Sequence, residues 1–175
     1  RGLGDVYTRQ SGTCPLLVRF VRAVGEFHSQ VALNHYGRVR LRLVRVVLAY
    51  SAVRLAEEGA VRRVLILDCD VHQGDGTARI LADRPDLFTC SLHCKANYPA
   101  RKATSDLDVE IDRYADDAAY LTILDDTLRL LQALITPDLV LYDAGVDVHE
   151  GDRLGLLAVS YDGIRQRDAM VLRHF

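Results

Sequence analysis

The chain has 175 residues, 49% of them apolar, enough to bury one sizeable core, and no apolar run is long enough to cross a bilayer as a helix. Its net charge of −2 hides an asymmetry: residues 1–50 hold eight arginines against Asp5 and Glu26, a local +6, which leaves −8 on the remainder. Those arginines follow no groove-fitting motif and lack interleaved aromatics, which argues against a nucleic-acid partner.

Along the chain, Arg38-Val-Arg-Leu-Arg-Leu-Val-Arg45 alternates as an arginine-rich exposed edge strand would. Residues 44–58 then read as a helix, with Val44, Val47, Leu48, Ser51 and Leu55 near one face and Gly59 as its stop. A strand follows over 62–68, a short helix over 77–82 and a second strand over 87–93, and residues 94–114 form a long polar connection. Residues 116–135 carry Ala119, Ile123, Thr127, Leu130, Leu131 and Leu134 at helical spacing, and Pro137 closes that helix. A strand over 138–144 and a last helix from about Asp162 complete the pattern. Apolar strands alternating with helices predict an α/β fold with a parallel, doubly wound sheet. The four cysteines (14, 69, 90, 94) show no CxxC spacing and are expected to be reduced core thiols in a cytoplasmic protein. The first residue is Arg, not Met, and no signal peptide is visible, so the natural N-terminus is expected to lie upstream.

The chemistry concentrates between Leu65 and Thr77, Leu-Ile-Leu-Asp-Cys-Asp-Val-His-Gln-Gly-Asp-Gly-Thr. A short apolar strand ends there in Asp68, Asp70 and His72, which share one side of an alternating backbone while Cys69 and Val71 take the other. Two carboxylates and an imidazole so gathered are costly to desolvate without a cation. A second apolar strand, Asp138-Leu-Val-Leu-Tyr-Asp-Ala-Gly-Val-Asp147, also ends in glycine and acid. Ligands of open α/β sheets gather outside the carboxyl ends of the strands, so adjacent strands would bring Asp147 to Asp70 and His72. One nitrogen and two carboxylates with an open fourth position suit a catalytic zinc or ferrous ion.

Asp68-Cys-Asp70-Val-His72-Gln-Gly74-Asp75-Gly76-Thr77 resembles the metal motif of histone deacetylases and bacterial acetoin-utilisation deacetylases. Tyr142-Asp-Ala-Gly145-Val-Asp147 with Glu150-Gly-Asp-Arg-Leu-Gly155 resembles the second metal segment, in the form found in class IV enzymes and their bacterial relatives. Ser91-Leu-His93, Asn97-Tyr-Pro99 and Ser105-Asp-Leu-Asp-Val109 extend the likeness from about Val44 to Phe175. The resemblance implies an arginase/deacetylase-type fold, incomplete at both ends, with a partial catalytic domain over 44–175. It implies metal-dependent hydrolysis of acetyl-lysine in a protein or peptide, or of a related acylated small amine. Asp70, His72 and Asp147 match the ligands of the zinc (or iron), and Asp68 and Asp75 match the carboxylates that orient the two catalytic histidines. Asp68, Asp70, His72, Ser91 and Leu92 match the donors of a structural potassium ion, and Tyr98 falls where an aromatic wall lines the acyl-lysine tunnel. His93 is expected to be structural, and His149 a rim residue beyond the ligand set.

The chain also departs from the family pattern. In Gly25-Glu-Phe-His28-Ser29, His28 is the candidate base, and a serine stands where the family's second histidine belongs. No Gly-Phe-Cys-like segment follows, so residues 1–43 are expected to be divergent or misread, and translating the gene in all frames tests that. No Gly-Gly-Tyr turn bearing an oxyanion-stabilising tyrosine is present, so turnover by these 175 residues is expected to be impaired. The alternative is a non-catalytic, metal-binding pseudoenzyme that recognises acylated lysine. An arginase-type ureohydrolase fits less well, because Asp143 and Asp147 lie four apart where that chemistry uses Asp-x-Asp.

Overall fold

A computed structural model describes residues 17–18 and 37–175, with side chains from residue 47 onward. In chain order the elements are β1 (Leu17–Val18), α1 (Gly37–Glu57), β2 (Val64–Asp68), α2 (Asp75–Leu81) and β3 (Leu87–Cys94). After them come β4 (Leu107–Ile111), α3 (Asp117–Leu134), β5 (Leu139–Asp143) and α4 (Tyr161–His174). The strands form one sheet in the order β1-β5-β2-β3-β4, every pair parallel.

The strand side chains sort by parity onto two faces, as a pleated backbone requires. Val64, Ile66, Leu139 and Leu141 meet Leu48, Ala49 and Ala52 of α1 and Leu81 of α2. Leu65, Leu67, Val140 and Tyr142 meet Tyr120, Leu124, Leu128 and Leu131 of α3 and Ile164 and Val171 of α4. Helices therefore cover both faces, which makes the sheet doubly wound and explains why its central strands are apolar throughout. Cys69, Cys90 and Cys94 lie buried in the second core as free thiols.

Three expectations are corrected. Residues 38–45 belong to α1, not to an edge strand. Leu41, Val44, Leu48 and Leu55 keep a helical three-and-four spacing through that stretch, and the two-residue alternation of arginines was the weaker signal. The connection over 94–114 contains β4, whose Leu107, Val109 and Ile111 alternate with Asp108 and Glu110. The buried faces of two helices are also rotated from those expected: α3 buries Tyr120, Leu124, Thr127, Leu128 and Leu131 and leaves Leu130 and Leu134 exposed, and α1 leaves Val47 exposed. Each helix carries two overlapping apolar stripes, and tertiary packing chose between them.

Helix ends follow local chemistry. The Asp116 carboxylate accepts from the Ala119 amide and starts α3. Ser160 caps α4 by accepting from Gly163 N–H, and its own amide and hydroxyl both donate to Asp117. At the opposite end of the sheet, Asp138 Oδ2 accepts from the amides of Arg62 and Arg63, tying the entry of β2 to that of β5.

Candidate functional site

The site forms where β2 and β5 end side by side. Their register pairs Asp68 with Asp143, and Cys69 N–H donates to Asp143 O at 2.9 Å just past the last rung. Beyond that point the two chains leave the ladder as the segments bearing Asp70–His72 and Asp147. One donor atom from each of Asp70, His72 and Asp147 lies within 4.8 Å of the others. His72 Nδ1 sits 3.0 Å from Asp70 Oδ1 and 3.0 Å from Asp147 Oδ2.

Backbone amides aim the carboxylates. Asp70 Oδ1 accepts from His72 N–H at 2.8 Å, and Asp147 Oδ1 accepts from Val71 N–H at 3.0 Å. Asp68 Oδ1 in turn accepts from Asp70 N–H at 3.0 Å. Two glycines permit this crowding. A Cβ at Gly74 would overlap Asp68 Oδ2, and one at Gly145 would meet Asp70 Cα at 2.7 Å.

Electrostatics mark the cluster as rich in negative charge. Burial disfavours a charged His72, yet the bonds to Asp147 and then Asp70 win and raise its pKa to about 9. Burial pushes the Asp147 carboxyl up, with His72 pulling the other way. Once an incoming ion displaces the His72 proton, the imidazole and two carboxylates carry −2, which a divalent cation would neutralise. One nitrogen and two oxygens, held by backbone amides around a shared point, fit such an ion.

Next to this set, Asp68 and Ser91 are register partners across β2 and β3, and both are buried. Ser91 Oγ accepts from Gly74 N–H at 3.2 Å and lies 3.1 Å from His93 Nδ1. Leu92 buries its side chain in the larger core, so only its backbone is available to the cluster of donors expected for potassium. His93 is buried and bonded to Ser91, and burial lowers its pKa. Asp75 opens α2 and makes a 3.7 Å ion pair with Arg79. His28 and His35 lie outside the described residues.

Tyr98 stands on the rim, 51% exposed, its ring centroid 6.4 Å from that of His72. The peptide joining it to Pro99 is cis. Lys102 Nζ donates to the carbonyls of Asn97 and Pro99, which closes the rim loop on itself. His149 is not drawn into the ligand set: its Nδ1 accepts from Gly151 N–H and its ring stacks on Tyr161 at 3.9 Å.

Three residues with a place here carried no role in the sequence reading. Gln73 is buried and bonds Ala103 through both amide atoms and Asp108 through its nitrogen, pinning the rim loop to the segment after His72. Asn97 Nδ2 donates to the carbonyls of Leu154 and Gly155, joining that loop to the one after Asp147. Arg167 lies under the site from α4. The one sequence signal was a charge on the stripe Ile164, Arg167, Val171, spaced like a buried helical face.

Comparison with known proteins agrees with this geometry. A family model described as the histone deacetylase domain matches residues 46–175. An uncharacterized protein of Picosynechococcus sp. is 49% identical over 125 residues, covering 71% of this chain and 42% of its own. Histone deacetylase 2 of Arabidopsis thaliana is 33% identical over 153 residues, covering 85% and 38%. The crystal structure of acetylpolyamine aminohydrolase from Burkholderia pseudomallei superposes with a TM-score of 0.63 at 26% identity, over 70% of this chain and 39% of that one. The chain thus spans about two-fifths of the length of the curated relatives it matches. A doubly wound parallel sheet of the deacetylase type, its Asp-His-Asp cluster at the strand ends and the match over 46–175 together place this chain in the histone deacetylase family.

Proposed function

We propose that residues 44–175 are part of a metal-dependent deacylase domain that hydrolyses acetyl-lysine or a related N-acylated amine. The convergence of Asp70, His72 and Asp147 from two strand ends carries this reading. Those three residues would hold zinc, with ferrous iron the alternative, and Asp68, Asp70, His72, Ser91 and Leu92 would surround potassium. Once bound, the divalent ion supplies a Lewis acid for the acyl carbonyl and lowers the pKa of water.

The chain's own residues do the positioning. Asp68 fixes the Asp70 backbone, Val71 N–H orients Asp147, and Gly145 keeps space for Asp70. Tyr98 offers an aromatic wall for an acyl-lysine stem, and Gln73 and Asn97 hold its loop against both ligand segments. Asp68 and Asp75 would orient catalytic histidines, of which His28 is the candidate proton acceptor. The substrate is an acetylated lysine in a protein or peptide, or an acetylated polyamine of the kind named for the Burkholderia relative. Free, buried cysteines favour a reducing compartment, consistent with the cytoplasm.

Ser29, directly after His28, favours a second reading: a metal-binding pseudoenzyme that recognises acylated lysine without cleaving it. One experiment separates the two. Zinc calorimetry on the chain and on Asp147→Ala is run beside turnover of an acetyl-lysine peptide and of acetylated spermidine. Binding lost in the variant, with turnover in the parent, supports the hydrolase. The same binding without turnover supports the pseudoenzyme, and no binding by the parent sinks both.

A further inference from the structure

We propose that Arg167 is a positioning residue for the Asp70–His72–Asp147 centre, its guanidinium holding in register the two backbone segments that carry those side chains. The inference rests on the metal-centre reading above. The β2–β5 ladder ends at Asp68 and Asp143, and one further bond, from Cys69 N–H to Asp143 O, follows it. Past this point the strands supply no further rung, yet Asp70 and Asp147 must stay within ångströms of each other.

Arg167 fills that gap from the α4 side. Its Nη1 donates to Gly145 O at 2.6 Å and reaches Cys69 O at 3.4 Å. Cys69 directly precedes Asp70, and Gly145 comes two residues before Asp147. A single nitrogen thus touches the backbone of both ligand segments just past the end of the ladder. The guanidinium is held in turn: Asp168 Oδ1 accepts from Arg167 Nε at 2.9 Å and from the Tyr142 hydroxyl at 2.7 Å. Tyr142 itself lies on β5, so the brace closes on the strand it supports.

Burial makes this placement costly. Arg167 is 0% exposed, and its Nη2 meets no hydrogen-bond partner among the described residues. A buried ion pair adds little stability over a well-packed apolar residue, so stability alone is a poor reason for an arginine on this stripe. A planar guanidinium that is held by Asp168 through Nε while Nη1 reaches two carbonyls is something no apolar side chain can provide.

The test uses the full chain with Arg167→Met and Arg167→Lys. The first readout needs no metal: amide hydrogen exchange at Val71, whose N–H holds Asp147, against Leu124 in α3 as an internal reference. Positioning predicts that Val71 exchange accelerates about tenfold in Arg167→Met while Leu124 is unchanged, with Arg167→Lys between. The second readout is metal: zinc affinity should fall about 10- to 100-fold, and the visible spectrum of the cobalt-loaded protein should shift. Should Arg167→Met fail to fold, Arg167→Lys decides on the same two readouts. Val71 unchanged, or Val71 and Leu124 accelerating together, overturns the proposal, the latter because it marks a merely structural arginine. Failure of the parent chain to bind zinc or cobalt would overturn the metal reading instead, while Val71 exchange still decides the role of Arg167.

Discussion

Gly145 leaves so little room that a Cβ there would meet Asp70 Cα at 2.7 Å and Asp70 Cβ and Oδ2 at 2.9 Å. Two of those atoms cannot swing aside without moving the backbone that aims Asp70. Gly145→Ala should therefore cost about 1–3 kcal/mol of stability by overpacking. It should also displace Asp70 from His72 and Asp147, so zinc binding falls out of calorimetric range while the protein still unfolds cooperatively on heating. Retained zinc affinity would show that the segment tolerates the shift. At this scale the convergence of Asp70, His72 and Asp147 was legible because their residue types, at the ends of apolar strands, have few other uses. Gln73, Asn97 and Arg167 were not, since their partners are mainly backbone groups, up to 98 residues away for Arg167, and a backbone group leaves no mark in a sequence.

Helices α3 and α4 share a clasp. Asp117 in the first turn of α3 accepts from both the amide and the hydroxyl of Ser160, and Ser160 caps α4. Ser160→Ala removes a cap and leaves a carboxylate short of a donor, a loss of about 1 kcal/mol. Asp117→Ala should cost a similar amount, and because the two residues act on one another, the double variant should lose less than the sum of the singles. Urea denaturation of the four proteins measures the coupling, and strict additivity would mean the clasp does not hold in solution. Element boundaries were legible from Pro137 and from Gly59. The buried faces of α1 and α3 were less so, because two apolar stripes overlap on each helix and the sheet decides which one is used. Strand β4 escaped notice because Asp108 and Glu110 interrupt its apolar residues, as suits the outermost strand of the described sheet.

Across the molecule, parallel strands divide the work between two ends. The described metal-ligating candidates cluster beyond the carboxyl ends of β2 and β5, and the Asp138 staple lies at the opposite end. Two backbone N–H donors, from Arg62 and Arg63, hold the Asp138 carboxyl below the usual carboxylate range. A depressed folded pKa contributes stability that is fully present above the unfolded value of about 3.9 and is lost as pH falls through the folded value. Asp138→Asn should thus lower the urea midpoint at pH 7, and the gap to the parent should close as the pH drops below about 4. A gap that persists in acid would mean that the charge contributes nothing. The α/β class and strand direction were legible from element order alone, whereas this staple joins residues 75 and 76 apart and needed the folded chain to be seen.

That separation of ends has a practical and an evolutionary side. Turns at residues 58–63, 82–86 and 135–138 can be altered, labelled or lengthened without reaching the candidate ligand segments. A lineage carrying this sheet is therefore free to adjust its heat tolerance at one end without disturbing the acidic cluster at the other. An engineer seeking an attachment point should begin with the end that holds Asp138.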